Sequence, residues 1–68
     1  MKLSARNRLK RTIVEVKKGT TTAHIRIDLG GQIVIAAITN ESVDELKLAI
    51  GQPAYAVIKA SDVTVGVD

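Results

Sequence analysis

Apolar residues recur at every second position along much of the chain. Ala23, Ile25, Ile27 and Leu29 alternate with His24, Arg26 and Asp28, the pattern of a strand with one face buried and the other in water. Gly30-Gly31 follows at once, and paired glycines supply the positive φ angles of a two-residue hairpin turn. Residues Ile33 to Ile38 then run apolar without a break. That predicts a strand covered on both faces, with a second subunit as one cover. Upstream, the β-branched stretch Thr12 to Lys17 predicts another strand, closing at Gly19.

One segment breaks the period of two. Asn40 is placed to cap a helix, and Glu41, Asp44 and Glu45 put negative charge in its first turns, where the helix dipole favours it. Val43, Leu46 and Leu48 give an apolar side, and Gly51 with Pro53 marks the stop. Strand pattern resumes over Ala54 to Lys59. Beyond a turn at Ser61-Asp62, Val63, Val65 and Val67 alternate with Thr64 and Gly66 as a last strand. The predicted order is β-β-β-α-β-β: an all-β fold with one short helix, built as an OB-fold-like five-stranded barrel. No linker or repeat divides residues 1–68, so a single domain is expected.

Size sharpens the picture. A chain of 68 residues hides only about 60% of its unfolded surface and has a marginal core. Small scaffolds rely on disulfides, a metal or partner subunits. With no Cys and one His, disulfides are excluded and a structural zinc site is disfavoured, which makes oligomerisation the expected staple. Disorder is excluded too, because 46% of the residues are hydrophobic. No apolar run approaches the ~20 residues that cross a bilayer. Charged residues from Lys2 through Arg11 interrupt any secretory h-region, and a cytoplasmic protein without membrane contact is expected.

Charge is unevenly placed. Residues 1–18 carry +6 and the remainder −3, within a net charge of +3. An anionic partner fits that balance. The single Tyr, without Phe or Trp, leaves no platform for stacking bases. Nucleic-acid binding through the basic N-terminal segment is therefore the runner-up reading, and Tyr55 is expected in the core. Enzymatic activity is not expected, since no carboxylate pair or nucleophile–base set is spaced for it.

Particular motifs then identify a relative. Ser4-Ala5-Arg6-Asn7 with Leu9, then Val16-Lys17-Lys18-Gly19, resembles the molbindin (Mop) family of molybdate-binding proteins, whose domain recurs in molybdate-responsive regulators and transporter ATPases. Ala23, Gly30-Gly31, Ala37-Ile38-Thr39, Ser42, Leu48, Gly51 and the block Ala56 to Val63 continue the resemblance at preserved spacing. Two departures stand out. Gly19-Thr20-Thr21-Thr22-Ala23-His24 replaces the family's usual Gly-x-Val-Asn-Ala-Glu, and Lys10 is followed by Arg11-Thr12 rather than the usual nearby Gly.

The resemblance implies a barrel whose first strand is exchanged between subunits and a homo-hexamer arranged as a trimer of dimers. It also implies molybdate or tungstate held at subunit interfaces for storage or homeostasis, without direct coordination of a metal ion by side chains. Such tetrahedral dianions only accept hydrogen bonds, so a selective site offers donors alone. By resemblance, the principal site is Ser4, Ala5, Arg6, Lys59 and Ala60, drawn from two chains. A second oxyanion site is implied at Gly19, Thr20 and Thr22, where the sequence departs from the family. Without the resemblance, Ser4 reads as a terminal polar residue and Arg6 and Lys59 as solvated surface charges. Ser61 reads as a turn cap and His24 as a surface residue.

Overall fold

A computed structural model describes residues 4–68; of the basic segment, Lys2 lies outside the described residues. The chain forms β1 (Asn7–Lys18), β2 (Thr22–Asp28), β3 (Ile33–Thr39), a short helix α1 (Asn40–Leu46), β4 (Pro53–Ile58) and a 3-10 turn over Ala60–Asp62. The strands make one antiparallel sheet in the order β3-β2-β1-β4. The fold is thus mostly β with a single helix between the third and fourth strands, the OB-like arrangement read from the sequence.

β1 is the organising element. Its first half, Asn7 to Thr12, pairs with β4, and its second half, Thr12 to Lys18, pairs with β2. It begins five residues before the predicted strand. Arg8, Lys10 and Arg11 hide its N-terminal half from hydrophobic patterning, because backbone pairing, not burial, holds that half in place. Both of its neighbours come from its own chain. At Val14 the register with β2 shifts, and such a bulge bends a strand and lets one strand serve two directions of the sheet.

The curled sheet wraps a small core of Ile13, Ala23, Ile25, Ile27, Val43 and Ala56, all buried. Alternation along β2 is as predicted, with Ala23, Ile25 and Ile27 inward. β3 alternates too: its even positions are half-buried, but Ile33 and Ile35 remain 47% and 54% exposed. One cover of that apolar run is therefore missing within the chain.

The β2–β3 turn is built as predicted. Leu29 N donates to Gln32 O at 2.7 Å, leaving Gly30 and Gly31 as a two-residue loop at φ 90° and 117°. Asp28 Oδ1 accepts from both of their amides at 2.8 and 3.1 Å. The Arg11 guanidinium lies over Gly30 and would have to move aside for a Cβ there.

Three local expectations need correction. The helix cap is Thr39, whose Oγ1 accepts from Ser42 N at 3.1 Å. Asn40 is instead the first helical residue and turns its amide toward the β1–β2 turn. The helix stops at Leu46, before Gly51, because Lys47 adopts the left-handed conformation (φ 53°, ψ 47°) and Leu48 N closes on Val43 O. Finally, residues 63–68 are exposed and pair with no described strand, so the valines beyond the 3-10 turn do not form a fifth strand within the chain.

Candidate oxyanion-binding site

The two motifs at the ends of the chain meet in space. Asn7 pairs with Ile58 at the last rung of the β1–β4 ladder, so Arg6 and Lys59 leave the sheet side by side at one end of it. Asn7 Nδ2 also donates to the Ile58 carbonyl at 3.2 Å, tying the two segments where they diverge. Ser4 and Arg6 are exposed and Ala5 is half-buried.

Lys59 is the residue that enters the 3-10 turn. It lies in extended conformation and makes no side-chain cap bond, and its carbonyl accepts from Asp62 N at 2.9 Å. Val63 N closes on Ala60 O at 3.3 Å. These backbone bonds alone close the turn; the expected Ser61 cap is not made. The turn's own bonds engage the amides of Asp62 and Val63 and leave those of Ala60 and Ser61 free of it. No Asp or Glu occurs in residues 4–8 or 57–61. This end of the sheet therefore offers a hydroxyl, backbone amides, a guanidinium and an ammonium, a set rich in donors, with Asp62 of the 3-10 turn as the nearest carboxylate in sequence.

The second candidate site lies at the opposite end of β1, and the structure divides it. Gly19 N donates to Thr22 O at 2.8 Å. A Cβ on Gly19 would stand 2.8 Å from that same oxygen, so the turn needs glycine for clearance. Asn40 straps the turn to the helix: its backbone N donates to Thr21 O at 2.9 Å, and its Nδ2 reaches Gly19 O at 3.0 Å and Thr20 O at 3.3 Å. Thr20 lines a shallow cavity of about 360 Å³ with Thr21, Thr39, Asn40 and Glu41. The Glu41 carboxylate makes that cavity a poor host for an anion.

Gly19 and Thr22 open instead on a cavity of about 260 Å³ with Lys17, Lys18 and His24, which carries no acid in its lining. Lys18 is already paired with Asp44 at 2.5 Å. Sequence reasoning missed Lys17 and His24 here. Lys17 and His24 are cross-strand partners on the outer face of β1 and β2, and that register is not written in either segment alone.

Tyr55 departs from expectation. It is 48% exposed, with Lys10 Nζ 5.6 Å from its ring centroid. The chain's lone aromatic is thus a surface ring already covered by a cation. Among the described residues no group of three or more His, Asp or Glu is placed to hold a metal ion, and no helix is long and apolar enough to cross a membrane.

Comparison with known proteins then places these features. Residues 3–65 match the TOBE domain. The chain is 45% identical to a probable molybdenum-pterin-binding protein of Haemophilus influenzae, with all of both chains covered. Its structure superimposes with a TM-score of 0.94 on a molybdate binding protein from Sporomusa ovata, 42% identical, covering 98% of this chain and all of that one. It also matches the molybdate-bound form of ModG, a cytoplasmic molybdate-binding protein, with a TM-score of 0.93 and 40% identity. That match covers all of this chain and 49% of ModG.

Proposed function

The chain belongs to the TOBE-domain family, in its molbindin branch, and from that premise we propose that it binds molybdate as its working ligand. The observation that carries the reading is the junction of Ser4–Arg6 with Lys59–Ala60 at the Asn7–Ile58 rung. Molybdate is a fully deprotonated tetrahedral dianion at neutral pH. A set rich in donors satisfies its oxygens, and none of the named residues sets a carboxylate against them. Hydrogen phosphate carries a proton and needs an acceptor; among the named groups only the Ser4 hydroxyl can supply one, and using it so gives up a donor. Sulfate has the charge but shorter bonds to oxygen, so the same donors close on it less well. Tungstate matches molybdate in charge and shape and is taken as a second ligand.

In this reading Lys59 and Arg6 supply the charge, while the Ser4 hydroxyl and the amides of Ala5 and Ala60 fix orientation. The Gly19–Thr22 cavity is a weaker second site, with Lys17 as its cation, and Thr20 takes a smaller part. The protein acts by binding rather than by catalysis, holding the oxyanion in the cytoplasm for storage or homeostasis.

A homo-oligomer, a hexamer built as a trimer of dimers, completes the unit. The exposed Ile33 and Ile35 support that assembly, since a marginal core leaves them uncovered. The test is calorimetric titration of the purified protein with molybdate, tungstate, sulfate and phosphate, with sedimentation equilibrium alongside. Tight binding of the first two and weak binding of the last two is expected. Equal affinity for all four, or tight salt-sensitive retention of random single-stranded DNA in a gel shift, would overturn it.

A further inference from the structure

The outer face of β1 and β2 beside the Gly19 turn gathers donors around one group that can change its charge. Lys17 and His24 are cross-strand partners there, so their side chains leave the sheet together, with Cβ atoms roughly 5 Å apart. Thr22 stands two residues before His24 on the same face of β2. With Lys18 and Gly19 these residues line the cavity of about 260 Å³. Lys17, Thr22 and His24 are all exposed, so an ion from solution reaches the cavity directly.

The surrounding charges decide what this pair can hold. On β1 the next outward residue is Glu15, whose carboxylate is taken by Arg26 of β2 at 3.0 Å. Farther along β2, Asp28 accepts from the amides of Gly30 and Gly31. On β3, the residues opposite Thr22, His24 and Arg26 are Thr39, Ala37 and Ile35, none of them charged. Asp44 of α1 is paired with Lys18, and Glu41 lines the neighbouring cavity; α1 contributes no residue to the lining of this one. Each nearby carboxylate is thus engaged elsewhere or turned to another cavity.

Position 24 is where this chain departs from the usual Glu of the family. A carboxylate there would pair with Lys17 and repel an anion. An imidazole does neither, and it is the side-chain type whose charge changes between about pH 5 and 8. Neutral, it offers one donor nitrogen and one acceptor; protonated, both nitrogens donate. Two adjacent cations repel, and a dianion seated between them turns that repulsion into attraction for both. We propose that the Gly19–Thr22 cavity takes up its oxyanion together with a proton, with His24 receiving the proton and Lys17 supplying the fixed charge.

The inference rests on the second site of the molybdate reading and adds to it a ligand-binding residue and a condition. Because a proton accompanies the ligand, affinity at this site rises as pH falls through the range in which an imidazole charges. The principal site carries no such group: Arg6 and Lys59 are of types that keep their charge across that range, and Ser4 does not ionise. The two sites therefore differ in pH dependence. The cavity is open to solvent, so the gain is modest, roughly three- to tenfold between about pH 8 and pH 6.

The test is calorimetric titration of the full-length, assembled protein with molybdate at about pH 6 and about pH 8, where molybdate itself stays deprotonated and an imidazole does not. Each titration is run in two buffers of different ionisation heat, which reads proton uptake. The weaker class of sites is expected to strengthen roughly three- to tenfold at the lower pH with net proton uptake, while the tight class stays constant. His24→Gln keeps an exposed polar side chain on β2 and should remove both the slope and the uptake. It also separates His24 from the α-amino group, which titrates nearby.

His24 is the only histidine of the chain, so its ring-proton resonances report on it directly. Saturating molybdate should move their titration to higher pH in the parent protein. A weaker class with equal affinity at both pH values, or a slope that survives His24→Gln, overturns the proton linkage and leaves the second site standing. Absence of any weaker class overturns the inference and the second site together. In either case the tight class, and its response to Lys59→Met, still measures the molybdate reading itself.

Discussion

Asn7 and Ile58 are cross-strand partners whose pairing is reinforced by the Asn7 side chain, with Nδ2 3.2 Å from the Ile58 carbonyl oxygen. That one contact joins the segment ahead of β1 to the segment behind β4, and with them the two halves of the principal site. Asn7 belongs to neither set of proposed ligand donors. Its part is to hold them in register. Asn7→Ala should cost about 0.5–1.5 kcal/mol of stability for the lost hydrogen bond and lower molybdate affinity several-fold. Denaturant midpoints and calorimetric titration on the same preparation check both effects. A variant that loses stability but keeps full affinity would separate the two roles and refute the positioning argument.

The same junction shows what was legible in the chain. Ser4–Asn7 and Ile58–Ser61 are recognisable where they stand, but their apposition depends on a ladder of six cross-strand pairs, half of whose residues look like a solvated charge run. β2 and its Gly30-Gly31 turn were readable because burial and alternation coincide there. Thr39 and Asn40 were harder to tell apart, since both can cap a helix. The choice falls to Thr39 because the carbonyls of Gly19 and Thr20 lie within reach of the Asn40 amide. Val63–Val67 has the pattern of a strand but no partner in its own chain, and pairing is a property that alternation cannot report.

The end of α1 carries a strained residue that can be relieved. Lys47 holds φ at 53°, a region that costs a residue with a Cβ roughly 1 kcal/mol and glycine almost nothing. Its side chain is exposed. Lys47→Gly should therefore stabilise the protein, by about 0.5–1 kcal/mol, with part of the gain offset by the greater freedom of glycine in the unfolded chain. Urea unfolding of parent and variant at equal protein concentration measures it. A destabilised variant would mean that the Lys47 side chain makes a contribution its backbone strain conceals.

Acid should weaken the β2–β3 turn. The amides of Gly31 and Gly30, with the nearby Arg11 charge, hold the Asp28 carboxyl below its ordinary value of 3.8. A group depressed in the folded state contributes stability at pH above its unfolded value, and that contribution disappears as pH falls through the folded one. Asp28→Asn keeps an oxygen acceptor and removes the titration. The parent should exceed the variant in unfolding midpoint by a constant margin from pH 5 to 7, and the margin should shrink below about pH 4. A margin that stays constant down to pH 2 would remove the carboxylate from the account.

Lys59 offers the sharpest test of the site. It stands exposed at the entry to the 3-10 turn, beside the continuation of the Asn7–Ile58 rung, and makes no side-chain cap bond there. Lys59→Met keeps the apolar stem and removes the ammonium, so packing should change little. A charge-assisted hydrogen bond to a dianion contributes roughly 1.5–3 kcal/mol, so molybdate affinity should fall by about tenfold to somewhat over a hundredfold. Ser4→Ala removes a neutral donor and should cost less, roughly 0.5–1.5 kcal/mol. Neither side chain is apolar, and assembly should survive both changes. Titrations of parent, Lys59→Met and Ser4→Ala, each verified by sedimentation to have the same mass, make the comparison. Raising salt should weaken the parent more than Lys59→Met, because only the parent has the full attraction left to screen. If Lys59→Met binds molybdate as tightly as the parent, the ammonium is not at the ligand and the principal site lies elsewhere.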